Sequence, residues 1–220
     1  MGQYSGVYTA RQHFQAVGEG AWPGAFINAS VAGLAGKFFN GDWRSTISTG
    51  NIGTLPLTTV NDSTNVSGTT GLPSAAHRYG VNVWPNISYT NIGDVYGFIA
   101  IGYFKPPTTG TYTFYTSSDD SSGVWVGSIA SASSGRTTGN AVVNNNLGVG
   151  QAETKVSGSI ALTADLWYAI RIVHEEGGAG DTLTFSWSGP GITETTNLNT
   201  YFRTPSVSGV LVGNYTIVSA

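Results

Sequence analysis

The sequence predicts an all-β protein, an antiparallel β-sandwich of jelly-roll type with a short N-terminal helix and extended terminal arms. Three observations carry that expectation. Only 10% of the 220 residues are charged, while 31 are glycine and 12% are aromatic, the profile of a turn-rich β protein kept soluble by hydroxyl and amide groups. Period-two alternation recurs along the chain: Tyr112, Phe114, Val124 and Val126 against Thr113, Tyr115 and Trp125. Only one segment, Thr9 to Val17, reads well as a helix, with Thr9 as cap, Phe14 and Val17 as an apolar pair, and Gly18 and Gly20 as the stop.

Length and charge narrow the classes. A chain of this size can bury one substantial core. A net charge of −3 and a pI near 5.5 leave no basic footprint, which argues against nucleic acid as a partner. There is no cysteine, hence neither disulfides nor thiolate metal ligands. The first residues, MGQYSGVYTARQHFQ, lack a signal-peptide pattern, and no apolar run is long enough to span a bilayer as a helix. An outward-facing β protein without an export signal is expected to leave the cell by another route, such as assembly into a virus particle.

Taken in order, residues 1–32 form an arm with the short helix, 33–203 the sandwich, and 204–220 a strand-like tail. Leu34, Lys37, Phe38 and Phe39 mark the first strand, closed by Asn40-Gly41. Residues 45–79 read as long connections. Val81, Val83 and Trp84, then Ile87 and Tyr89, precede a turn at 91–94, and Val95 to Phe104 is dense and β-branched enough for a central strand. Strands follow at 154–156, 160–162 and Leu166 to Val173, the last with Tyr168, Ile170 and Ile172 on one face and Trp167, Ala169, Arg171 and Val173 on the other. The polar loop HEEGGAGD, His174 to Asp181, separates it from Leu183, Phe185 and Trp187.

The stretch from Gly110 to Gly127 organises the rest. It reads as a strand, the loop Ser117-Ser118-Asp119-Asp120-Ser121-Ser122-Gly123, and a second strand returning beside the first. Adjacent carboxylates repel unless a cation lies between them, and hard loop oxygens suit Ca²⁺. A solvated acidic turn is the plain alternative. Strand, polar loop and strand recur at 166–187, again with acids, Glu175 and Glu176, in the loop. Among the six tryptophans, Trp125, Trp167 and Trp187 lie inside strand patterns; Trp43 and Trp84 lie near turns and are the candidates for stacking on a sugar, with core packing the competing role.

GLAGKFF, YGFIAIGYFKPPTTGTYTFYTSSDDSSGVWVG and ALTADLWYAIRIVHEEGGAGDTLTFSWSGPG together resemble the β-sandwich named after anthrax protective antigen, whose superfamily includes the GLEYA-type yeast adhesins. The resemblance spans about residues 33–203. It implies a carbohydrate-binding or protein-contact module, with Asp119 and Asp120 matching the adhesins' calcium-binding acid pair, which often lies across a cis peptide. It also implies a second calcium-facing loop after Ile170-Arg171-Ile172. Glu175 and Glu176 stand there in place of an amide, and Ser121-Ser122 in place of a glycine after the acids. Residues 6–24, GVYTARQHFQAVGEGAWPG, more loosely resemble segments of bacteriophage tail and fibre proteins.

These readings combine into one expectation: a non-enzymatic bacteriophage virion protein (tail, fibre or decoration component) carrying a calcium-dependent carbohydrate site for host attachment. Its metal ligands would be Asp119, Asp120, Glu175 and Glu176, with Trp43 and Trp84 added for sugar. Other virion proteins would meet its terminal arms, in a multi-copy or homo-oligomeric assembly. The alternatives are a ligand-free decoration protein and an adhesin module of a bacterial surface protein. No G-x-S-x-G, H-E-x-x-H or thiol nucleophile is present. The one carboxylate pair worth testing for glycoside hydrolysis is Asp119 with Glu175.

Overall fold

The computed structural model describes residues 31–41, 67–78, 82–132 and 135–205. The expected N-terminal helix, Trp43 and the C-terminal tail after residue 205 lie outside them.

Two antiparallel sheets pack face to face. In the first, β2 (Asn82–Trp84), β1 (Leu34–Asn40), β4 (Tyr96–Phe104), β9 (Tyr168–Glu176), β6 (Ser122–Val126) and β7 (Val143–Asn145) lie in that order, and β12 (Phe202–Arg203) also pairs with β4. In the second the order is β11 (Ile192–Thr195), β10 (Thr182–Gly189), β5 (Gly110–Asp119) and β8 (Thr154–Leu162), with β3 (Ser88–Thr90) on β10. The all-β sandwich expected from alternation is what forms, and the dense run at 96–104 is an interior strand.

Alternation decides what is buried. Phe38, Phe98, Phe104, Phe114, Phe185, Trp84 and Trp187 fill the space between the sheets. Their rings meet mostly edge to face, as in Phe38 on Tyr89 (5.3 Å) and Phe104 on Trp187 (5.2 Å), the arrangement the ring quadrupole favours. Each such ring contributes roughly 1.5–3 kcal/mol through burial. A smaller cluster, Phe39, Ile99, Trp125, Ala130, Leu147 and Val173, lies on the outer face of the first sheet, roofed in part by the single turn α1 (Ser128–Ser131). Trp84 is therefore core, wholly buried and edge-on to Phe38 and Phe98, and cannot offer a face to a sugar. Trp167, expected inside a strand, precedes β9, is only half-buried, and lies 5.9 Å under the Lys105 ammonium.

One expectation about topology is corrected. β6 does not return beside β5. β5 pairs with β8 and β10 in one sheet, β6 with β7 and β9 in the other, so the Asp119–Ser121 turn crosses between layers. The connection from β9 to β10 crosses in the same way. Because Asp119 is in register with Thr182, and Ser122 with His174, the two crossings lie against each other at one end of the sandwich.

Candidate functional site

Three loops meet at that end. The Asp119-Asp120 peptide is cis. Its carbonyl partner is His174, whose Nε2 lies 3.0 Å from the Asp119 oxygen and whose Nδ1 lies 2.9 Å from the Tyr89 hydroxyl. A carbonyl only accepts, so Nε2 carries the proton, Nδ1 accepts from Tyr89, and the ring is neutral. Asp120 joins the other two loops: its Oδ1 accepts from the Gln151 amide (2.9 Å) and its Oδ2 from the Gly177 amide (2.9 Å). The Gln151 side chain in turn donates to the carbonyls of Asp120 (3.2 Å) and Ser118 (3.3 Å) and to Asn145 Oδ1 (2.8 Å). Sequence reading missed Gln151 and Asn145, because an amide inside a polar loop carries no pattern to mark it.

The acids take different roles. β9 extends through Glu176, so His174, Glu175 and Glu176 are buried strand residues rather than loop. Strand alternation then divides them. Glu176 follows Ile170, Ile172 and His174 on the inner face. Glu175 follows Arg171 and Val173 on the outer face, where its Oε2 accepts from the Ser121 hydroxyl (2.6 Å) and the Gly148 amide (3.2 Å). Alternation thus points Glu175 and Glu176 to opposite faces of the first sheet.

Asp181 enters unexpectedly. It accepts from the amides of Ile92 (3.0 Å) and Gly93 (3.2 Å) and from the Tyr96 hydroxyl (2.8 Å), fastening the 91–94 turn to the second crossing. An open depression of about 290 Å³ lined by Ser67, Gly93, Asp94 and Val95 adjoins it.

Asp119, Asp120, Glu176 and Asp181 thus crowd one end, each close enough to disfavour ionisation of a neighbour. Burial first, then the charges of Asp120, Asp181 and Asp119, raise Glu176 to about 8, despite the Gly178 amide bonded to its Oε1. Asp119 is raised by partial burial and then by Asp120, Asp181 and Glu153. No described cation pairs with Asp119, Glu176 or Asp181. Glu176 Oε2 is buried without a hydrogen-bond partner among the described residues, and a Cβ on Gly180 would come within 3.1 Å of Asp119 Oδ2, so backbone closes directly over that carboxylate. Excess negative charge, hard oxygens and an orphaned buried oxygen fit a cation of the calcium class. Among the described residues, no three His, Cys, Asp or Glu side chains are grouped as a ready-made metal cage. Any ion would therefore draw on backbone oxygens as well.

The pH dependence of stability follows. Burial lowers His174 from 6.5 to about 4, so its contribution is complete above 6.5 and is lost as pH falls toward 4. Glu176 is raised from 4.5 to about 8, so its contribution is complete below 4.5 and is lost as pH rises toward 8. In cation-free buffer the melting temperature should hold a plateau between about pH 4.5 and 6.5 and fall on both sides, as thermal melts across pH 3.5 to 8.5 will read.

Fold and site define a class: a two-layer antiparallel sandwich with acid-bearing crossings at one end. Residues 96–189 match the family model described as the GLEYA domain, and the resemblance seen in the sequence holds over that segment. The chain is similar to the Epithelial Adhesin 9 A domain of Candida glabrata, solved in complex with Galb1-3GlcNAc, at 15% identity over 86% of this chain and 95% of that one, with a TM-score of 0.54. It is also similar to an anti-sigma factor domain-containing protein (18% identity, 79% of this chain, 48% of that chain, TM-score 0.52) and to another from Clostridium clariflavum (14%, 82% and 50%, 0.50). The chain spans about half the length of these last two. No curated protein matches it. At such identities the structural likeness shows a shared fold.

Proposed function

We propose that the chain is a carbohydrate-binding adhesin module that works with a calcium-class cation at the junction of its two sheet-crossing turns. The observation that carries this reading is the convergence of Asp119, Asp120 and Glu176, the last with a buried oxygen that has no hydrogen-bond partner among the described residues. The GLEYA match over 96–189 and the glycan named with the Candida glabrata structure support it. Asp119, Asp120 and Glu176 would supply the negative charge that draws the ion, backbone oxygens of the crossings would complete its shell, and when bound it would offer open positions to paired sugar hydroxyls. The chain's own contribution is placement: His174 and Gln151 fix the acid tip, and Asp181 fixes the neighbouring turn. The adhesin alternative thus takes precedence over the phage reading, since the GLEYA match and the glycan-bound neighbour favour it. The test is a glycan array probed in calcium and again in EDTA. Binding to a defined glycan set, lost in EDTA, is expected; equal signal in both, or none in calcium, overturns the reading.

A further inference from the structure

The 91–95 turn is held firmly through its backbone, and two of its side chains take no part in the holding. Asp181 accepts from the amides of Ile92 and Gly93, Ile92 O accepts from the amides of Ser67 and Gly68 (both 2.7 Å), and Val95 O accepts from the Gly41 amide (3.0 Å). Asp94 is exposed, and its carboxylate makes no hydrogen bond or ion pair among the described residues. Val95 is 39% exposed with a φ of 55°. A β-branched residue in the left-handed region is strained where asparagine or glycine would sit at lower cost, and such strain gathers at ligand sites. These two residues, with Ser67 and Gly93, line the depression of about 290 Å³. That is close to the lower bound of small-ligand pockets, roughly 300 Å³, room for one sugar ring. Val95 directly precedes Tyr96, the register partner of Glu176, and Gly93 and Tyr96 share Asp181. Neighbouring strands lie about 4.8 Å apart, so the depression opens about one strand away from the acids of the junction.

We infer that this depression is a second sugar subsite, so that the ligand is a disaccharide or a longer glycan. The subsite rests on the adhesin reading above: the ion holds one ring through paired hydroxyls, and the next ring lies over the 91–95 turn. There the Asp94 carboxylate accepts from that ring's hydroxyls, and the Val95 isopropyl group covers its C–H face. The Ser67 hydroxyl closes the other side, with the Ser67 carbonyl held from behind by Arg78 Nη1 (2.7 Å). Because the turn is already fixed by Asp181, little order has to be created on binding.

Calorimetric titration of the full chain in calcium tests it, with glucose, galactose, mannose and N-acetylglucosamine and the homodisaccharide of each as probes. Asp94→Ala and Val95→Asn are titrated beside the wild type. Neither substitution removes a hydrogen bond that holds the turn, and asparagine tolerates the left-handed backbone; should one variant not fold, the other carries the comparison. In the wild type at least one disaccharide should bind about tenfold or more tightly than its monosaccharide. Each substitution should remove most of that advantage and leave the monosaccharide affinity unchanged. A monosaccharide bound as tightly as its disaccharide overturns the subsite and leaves the adhesin reading standing, as does an advantage that survives both substitutions. No binding of any probe in calcium overturns the subsite and the adhesin reading together.

Discussion

Asp119→Asn should raise the melting temperature without calcium and lower it with calcium, relative to the wild type under each condition. The carboxylate makes no side-chain hydrogen bond among the described residues, and its neighbours Asp120 and Asp181 already disfavour its charge. The isosteric amide removes one member of a repelling group without opening a cavity, so the cation-free protein gains a little. A ligand that binds only the folded state stabilises it by about 2.7 kcal/mol at a hundred times its Kd, and the variant should forfeit most of that. Glycan binding should fall with it. If calcium stabilises Asp119→Asn as much as the wild type, the ion does not bind at this junction.

Asp181→Ala is expected to cost about 3–5 kcal/mol whether or not a cation is present, because it strands the buried donors at Ile92, Gly93 and Tyr96. For a domain of this size that corresponds to a fall of about 10 °C in melting temperature. The two substitutions separate two kinds of acid in one cluster. Asp181 is satisfied by the protein and holds it together; Asp119 is not satisfied. Chemical denaturation in EDTA reads the first effect free of the second, and a cost under about 1 kcal/mol for Asp181→Ala would show those hydrogen bonds to be replaceable by water.

The layers were legible because alternation is a local signal. Phe114 and Val124 face inward as their period demands, and Ile170 and Ile172 separate from Ala169 and Val173 as read from the sequence. Partner choice was not legible. Alternation says which side of a strand is buried but not which sheet receives it, so β5 and β6 looked like one hairpin when they belong to opposite layers. Glu175 and Glu176 show a nearer miss. Continuing the period past Val173 places Glu176 inward and Glu175 outward, yet three polar residues in a row resemble a loop. Trp84 and Trp167 exchanged expectations for a related reason. Proximity to a turn does not set exposure; Trp84 is sealed by Phe38, Tyr89 and Phe98 from three other strands. Gln151, Asn145 and Asp181 carried no signal, since their importance lies in contacts with residues far away in sequence.

The two crossings have a mechanical consequence. Each belongs to both layers, so the acid tip acts as a rivet through the sandwich rather than an ornament on one edge. Sliding either sheet by one residue would pull Asp120 off Gly177 or His174 off the Asp119 carbonyl. The rim segments at 91–95 and 146–152 can therefore vary in sequence while the rivet keeps its place.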